Sequence, residues 1–166
     1  MRIRYATIEE RALLLELMHD AFSEYKNDPI PSSALQETVQ DIINAAEIGE
    51  QALIIENDEN LAVGMVRYLF IGDSLYFHRL SVRKTEQAKG YAKKLLIELE
   101  HEAISHGKHY IKCRVRANSS KNMVLYINFG YMQYGEQWVE KVDQQKVLNA
   151  LLEKPLVVAQ TKKYRD

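Results

Sequence analysis

The chain has 166 residues, of which 46% are hydrophobic and 27% charged, the composition of an ordinary soluble globular protein of about one domain. Its 22 Lys and Arg residues balance 23 Asp and Glu residues, so the formal net charge is −1 and no bulk positive charge draws the chain to nucleic acid. The single cysteine, Cys113, excludes an internal disulfide framework and a cysteine-based zinc site and is typical of a reducing compartment. We expect a cytoplasmic protein.

The sequence shows no signal of a membrane-spanning segment or of a domain boundary. Charged residues interrupt the N-terminal segment before a signal peptide's apolar stretch could form, and nowhere do about 18 uncharged apolar residues follow one another. The three prolines and seven glycines are scattered, and no repeat is visible. The sequence therefore predicts one domain over residues 1–166, with neither a membrane nor a nucleic acid as partner.

Hydrophobic periodicity predicts eleven elements in the order β-α-α-β-β-β-α-β-α-β-β. Thr7 followed by Glu10 is a capping-box signature for the first helix, and Ser32 or Ser33 is predicted to cap a second helix that ends at Gly49. Later helices are predicted at 91–106 and 119–129, and a short helical stretch between the last two strands. The predicted strands are 2–6, 51–56, 61–70, 75–82, 110–115, 131–139 and 155–163. An antiparallel front and a βαβ-like middle indicate a mixed α/β sheet with helices on both faces.

The segment that joins strand 75–82 to its helix carries the clearest functional signal. It reads Gln87-Ala88-Lys89-Gly90-Tyr91-Ala92. Small residues that lead into a helix N-terminus expose backbone N–H groups where the helix dipole is positive, which suits a diphosphate. Gly90 permits close backbone approach, and Lys89 and Lys93 add positive charge. There are two alternative interpretations of this segment: an ordinary strand-to-helix turn, and a site for another phosphorylated metabolite.

Two motifs and the order of elements resemble the GCN5-related N-acetyltransferase (GNAT) family over nearly the whole chain. The family signature Q/R-x-x-G-x-G/A is matched by residues 87–92, and residues 122–131 resemble its A-x-x-L-Y-x-x-x-G-F segment. Asn122 stands where the family usually has Ala, and Tyr131 replaces Phe. The resemblance implies a mostly antiparallel sheet that splays open between two parallel strands.

Acetyl-CoA is the co-substrate that the resemblance implies, without a metal. The loop amides would bind its pyrophosphate, and backbone groups of the preceding strand would bind its pantetheine arm. On spacing alone, Leu80 and Val82 of that strand are ordinary buried residues. The cofactor-binding residues expected from the resemblance are Leu80, Val82, Gln87, Ala88, Lys89, Gly90, Tyr91, Ala92, Lys93 and Asn122.

Acetyl transfer to an amine needs an acid for the leaving thiolate and a base for the attacking amine. The resemblance implies Tyr126 as general acid. No carboxylate stands on strand 75–82, so His78 is the candidate base, with Glu56 on the neighbouring strand as the weaker alternative. A backbone N–H near Leu80 would meet the oxyanion.

Other residues give weaker signals. His101, His106 and His109 lack further ligands for a metal, and Cys113 alternates with apolar residues like a core side chain. We expect loop 25–30, the second helix and strand 131–139 with Trp138 to wall the acceptor pocket. Acidic residues there, Glu24, Asp28 and Glu136, would attract a cationic amine.

The sequence thus predicts an N-acetyltransferase that moves an acetyl group from acetyl-CoA directly to a primary amine of a small molecule or protein. The alternative is a non-catalytic acyl-CoA-binding or regulatory module of the same fold. An exposed C-terminal strand would permit a homodimer.

Overall fold

Four α-helices and seven strands make up the part of the chain described by this computed structural model, residues 1–141 and 143–157. The strands are β1 (Arg2–Tyr5), β2 (Gln51–Glu56), β3 (Ala62–Ile71), β4 (Ser74–Val82), β5 (Tyr110–Arg116), β6 (Met132–Glu140) and β7 (Lys146–Pro155). The helices are α1 (Arg11–Phe22), α2 (Val39–Glu47), α3 (Tyr91–Ser105) and α4 (Ser120–Asn128). The strands form one sheet in the order β1-β2-β3-β4-β5-β7-β6.

The sheet is antiparallel at every pairing except that of β4 with β5. Successive side chains of a strand point to opposite faces of the sheet, so the central strands contribute to two hydrophobic cores, one on each face. Ile54 and Met65 pack with α1 and α2 on one face, whereas Leu53 and Val66 pack with α3 on the other. The predicted mixed α/β sheet with helices on both faces is confirmed.

The parallel pair separates soon after it begins. Only three residue pairs join the strands, from Ser74 opposite Tyr110 to Tyr76 opposite Lys112. Further along β4, the pairing with β3 shifts so that Arg79 and Leu80 together oppose one residue, and Arg79 has a φ of +57°. This β-bulge bends β4 at the point where β5 has already left it. The splayed parallel pair predicted from the resemblance is confirmed.

The segment after β6 differs from the prediction. The short helical stretch expected there is the strand β7, and the strand predicted at 155–163 shares only Pro155 with it, its residues from 158 onward lying outside the described residues. Leucine-rich sequence in this segment favours a helix locally, but pairing with β5 on one side and β6 on the other makes it a strand. The edge strands of the sheet are therefore β1 and β6, not the last described strand of the chain, and the homodimer stays a prediction.

The helix boundaries are also partly different. Thr7 donates its backbone N–H to the Glu10 carboxylate at 2.8 Å, as the capping box predicts, and a 3-10 turn leads into α1. Ser32 caps only a 3-10 turn, whereas α2 begins later behind a Thr38–Asp41 capping box with a 2.8 Å bond. Among the described residues, no helix is long and apolar enough to cross a membrane.

Candidate active site

A cleft of about 1010 Å³ opens where β4 and β5 diverge. The N-terminus of α3 closes one end of it, and α4 and the chain after α1 form its walls. Eleven of the twelve residues predicted as cofactor contacts, general acid or first-choice base lie along it: His78, Leu80, Val82, Gln87, Ala88, Gly90, Tyr91, Ala92, Lys93, Asn122 and Tyr126. The exception is Lys89, whose side chain lies at the surface and pairs with Glu86 at 3.1 Å.

The loop before α3 presents backbone N–H groups to the cleft. Ala88 and Gly90 have φ values of +61° and +88°, and the backbone N–H groups of residues 88–93 find no acceptor in the described chain. Lys94 is the first to donate within the helix, to the Gly90 carbonyl at 3.2 Å. A Cβ at Gly90 would meet no atom within 4 Å, so this face is open to a ligand. Free N–H groups at the positive end of a helix are a fit for the pyrophosphate of acetyl-CoA.

Positive side chains stand near this loop. Lys121 donates to the Gln87 side-chain oxygen at 3.4 Å, and the Gln87 amide donates to the Val82 carbonyl at 3.3 Å. Gln87 therefore ties the end of β4 to the start of α4, and Lys93 adds a further charge along the cleft.

Backbone groups of β4 line the next part of the cleft. The pairing with β5 ends at Tyr76, so residues 77–82 have no strand partner on that side. Leu80 and Val82 lie there, beside the bulge. Unpaired backbone donors and acceptors on a buried strand need a partner, which an amide-containing chain such as pantetheine supplies.

Tyr126 lies on α4 in contact with the inner end of the cleft. Its ring packs 5.9 Å from Phe77 and 5.6 Å from Tyr131, and its hydroxyl has no hydrogen-bond partner among the described residues. Burial, with smaller contributions from Cys113 and Tyr25, raises the pKa of Tyr126 well above its ordinary value, so the phenol stays protonated at neutral pH. Burial likewise raises the pKa of Cys113 and keeps it a thiol.

His78 belongs to a network of charged side chains on the face of the sheet opposite the one that α3 and Tyr126 cover. Its Nε2 lies 2.6 Å from Glu50, which also pairs with Arg67. Arg67, only 3% exposed, pairs in turn with Glu37, and Glu37 accepts from Arg79 at 2.7 Å. Burial alone would raise the pKa of Glu50, but His78 and Arg67 outweigh it and lower that pKa. The alternative base, Glu56, pairs with Arg2 and Arg4 away from the cleft, so that hypothesis is wrong.

Sequence reasoning missed the acidic partner of His78 and misplaced part of the acceptor wall. The one signal for the network was Arg67, a charge in the middle of an otherwise apolar strand, which indicates buried partners. Tyr25, Glu24 and Asp28 do line the cleft, but α2, Glu136 and Trp138 do not. Trp138 lies exposed on the edge strand β6, and Val139 and Lys141 reach the cleft instead. No cluster of three metal-ligating side chains occurs within residues 1–141 and 143–157.

Comparison with known proteins agrees with this geometry. The model of the acetyltransferase (GNAT) family matches residues 14–131, and no curated protein matches the chain. A ribosomal-protein-alanine N-acetyltransferase from Brucella melitensis has a TM-score of 0.71 at 20% identity, covering 94% of this chain and 100% of that one. The acetyltransferase yncA from Salmonella typhimurium, solved with acetyl-CoA, has a TM-score of 0.68 at 18% identity over 95% and 94% of the two chains.

A spermidine N-acetyltransferase chimera from Vibrio cholerae and hSSAT has a TM-score of 0.73 at 16% identity, covering 93% of this chain and 94% of that one. These three structures share the fold. The family model covers well over half of the sequence and includes both the loop before α3 and Tyr126. The chain belongs to the GNAT acetyltransferase family.

Proposed function

We propose that this protein is an N-acetyltransferase that transfers the acetyl group of acetyl-CoA directly to a primary amine. The observation that carries the proposal is the meeting of three features in one cleft: the free N–H groups of residues 88–93, the unpaired edge of β4, and the Tyr126 hydroxyl. Acetyl-CoA supplies a thioester, which an amine can attack without a covalent enzyme intermediate. The protonated state of Cys113 supports direct transfer.

The binding roles follow the order of groups along the cleft. The loop N–H groups at the α3 N-terminus would hold the pyrophosphate, and residues 77–82 of β4 would bind the pantetheine amides as a neighbouring strand does. Lys93 and Lys121 add charge at the phosphate end. This arrangement would deliver the thioester to the bulge at Arg79 and Leu80, where a backbone N–H can stabilise the oxyanion.

Tyr126 is the proposed general acid. When the amine nitrogen bonds to the acetyl carbon and the C–S bond breaks, the electron pair passes to sulfur, and the protonated phenol donates a hydrogen bond to the forming thiolate, which takes its proton from Tyr126 or from solvent as CoA leaves. A thiol has an ordinary pKa of about 8.5, below that of the buried phenol, so Tyr126 serves chiefly by stabilising the forming thiolate.

His78 is the proposed base that takes the proton from the amine. Its Nε2 contacts Glu50 at 2.6 Å, and a carboxylate in this position fixes the orientation of the imidazole. The amine acetylated belongs to a small molecule or a protein; two structural neighbours, a spermidine N-acetyltransferase chimera and a ribosomal-protein-alanine N-acetyltransferase, support an amine acceptor.

Replacing Tyr126 by Phe tests the proposed function. Tyr126→Phe should lower kcat about 100-fold or more, because the leaving thiolate loses its donor, while the affinity for CoA stays near that of the wild type. Steady-state kinetics and calorimetric titration with CoA separate the two effects. Tyr131→Phe is the matched control, since its ring is also buried, at 2% exposure, but lies outside the cleft. Full turnover by Tyr126→Phe would refute the role of Tyr126.

Replacing His78 by Gln tests the base. The loss in kcat/KM should be large, about 100-fold, for amines of pKa near 10 and small for weakly basic amines that are already unprotonated at the assay pH. The pH dependence of kcat/KM for both kinds of amine measures this difference. His109→Gln, on an exposed histidine away from the cleft, is the control. An equal loss for every amine would contradict proton removal by His78.

The Glu50 carboxylate should make stability depend on pH. Its pKa is lowered in the folded protein from 4.5, so its contribution is complete above about pH 4.5 and is lost as the pH falls through the lower folded value. Glu50→Gln should therefore cost about 1–3 kcal/mol at pH 7 and less at pH 3, by urea unfolding. Glu59→Gln, on an exposed turn, should change neither value. If Glu50→Gln lowered the free energy of unfolding equally at pH 7 and pH 3, the stabilising role of the Glu50 ion pairs would be contradicted.

A further inference from the structure

Three cations gather on the side of the cleft that faces the proposed base. Arg114 and Arg116 come from β5, and Lys141 follows β6. Along β5, Cys113 and Val115 point into the core beside α3, so the arginines between and after them point to the opposite face of the sheet. That face is separate from the loop N–H groups at α3, which are the proposed partners of the cofactor's phosphates.

The charges of these residues are not neutralised by the described part of the chain. Arg114 donates to the Tyr76 hydroxyl at 2.9 Å and to the Gln137 amide oxygen at 3.2 Å. Arg116 donates to the carbonyl oxygens of Ile30 and Pro31, the second at 2.8 Å. All four acceptors are neutral, and no ion pair in residues 1–141 and 143–157 includes Arg114, Arg116 or Lys141.

The cations also lie close to one another. Partial burial lowers the pKa of Lys141, and the charges of Arg116, Arg79 and Arg114 lower it further, while Asp143 opposes them. Of these arginines, Arg79 is neutralised by Glu37 at 2.6 Å. Asp28 influences Arg116 and Asp143 influences Lys141, but neither forms an ion pair with these cations, and Glu24 stands on the same wall as Asp28. Uncompensated like charges in a partly buried cleft favour an anionic ligand.

One aromatic side chain, Tyr76, lies between Arg114 and the proposed base. Arg114 contacts the Tyr76 hydroxyl, and the rings of Tyr76 and His78 lie 6.2 Å apart. An anion at Arg114 and an amine at His78 would therefore fit within one small molecule. Arg114 and Lys141 would then hold one end of the acceptor while its amine faces the thioester.

We propose that Arg114, Arg116 and Lys141 form an anion subsite for the acceptor, so that the preferred acceptor is a small primary amine that also carries a carboxylate or phosphonate. This inference rests on the proposed function and names its substrate class. Of the acidic residues predicted to attract a cationic amine, Glu24 and Asp28 line the cleft and suit the amine end of such an acceptor, whereas Glu136 lies outside the cleft. A planar guanidinium binds either anion with two hydrogen bonds.

Matched amines test the subsite. One series consists of ω-amino acids from glycine to 6-aminohexanoate, a second of the aminoalkylphosphonates, and a third of alkylamines and diamines of the same lengths. The best ω-amino acid or aminoalkylphosphonate should have a kcat/KM about tenfold or more above that of the alkylamine and diamine of the same length. This is the effect expected of hydrogen bonds to a charged group. The first two series distinguish carboxylate from phosphonate.

Variants assign the preference to these residues. Lys141→Gln and Arg114→Gln should each lower the acid-to-alkylamine ratio of kcat/KM about tenfold, whereas Lys146→Gln, an exposed lysine outside the cleft, should leave it unchanged. The subsite would be overturned, while the proposed function stands, by either of two results. One is that alkylamines or diamines have a kcat/KM equal to that of the amino acids and aminophosphonates, and the other is that both variants leave the acid-to-alkylamine ratio of kcat/KM unchanged. If no amine in any series is acetylated while acetyl-CoA still raises Tm, the subsite for a small acceptor is overturned and the proposed function, which includes protein amines, stands; if acetyl-CoA does not raise Tm either, both fail.

Discussion

The early divergence of β4 from β5 is the constraint on which the rest of the site depends. Three paired residues hold the two strands together, and beyond Tyr76 the backbone of β4 has no neighbour on that side. Backbone N–H and C=O groups in such a place must bind water or a ligand, because leaving them unpaired is costly. The bulge at Arg79 and the left-handed turns at Ala88 and Gly90 then turn the chain so that the first N–H groups of α3 face the same cleft.

The charged chain from His78 to Arg79 supports this geometry from the other face of the sheet. Arg67 is almost fully buried, so its charge must be compensated, and Glu37 and Glu50 both compensate it. The same two carboxylates reach β4 at His78, just before its bend, and at Arg79, within the bend. One set of ion pairs thus fixes the proposed base and the bulged residue together, and connects the packing of β3 with the chemistry proposed for β4.

Sequence could predict the parts of the site that depend on local conformation. The loop at Gln87–Ala92 and the tyrosine on α4 are carried by short motifs, and the fold followed from the order of elements. Contacts between distant segments left no such signal: Glu50 stands 28 residues from His78, and Pro31 stands 85 residues from Arg116. The strand β7 was missed for the same reason, since its neighbours in the sheet, not its own leucines, determine its conformation.

Thermal unfolding with and without acetyl-CoA tests the central claim, that the cleft between β4 and β5 binds this thioester. At about 100 times the dissociation constant the ligand should stabilise the fold by about 2.7 kcal/mol and raise Tm by about 5–10 °C. Acetyl-CoA and CoA should both raise Tm more than ADP does, because only they carry the pantetheine arm that the β4 edge would bind. No shift at millimolar acetyl-CoA, or a shift no larger than that with ADP, would contradict the account.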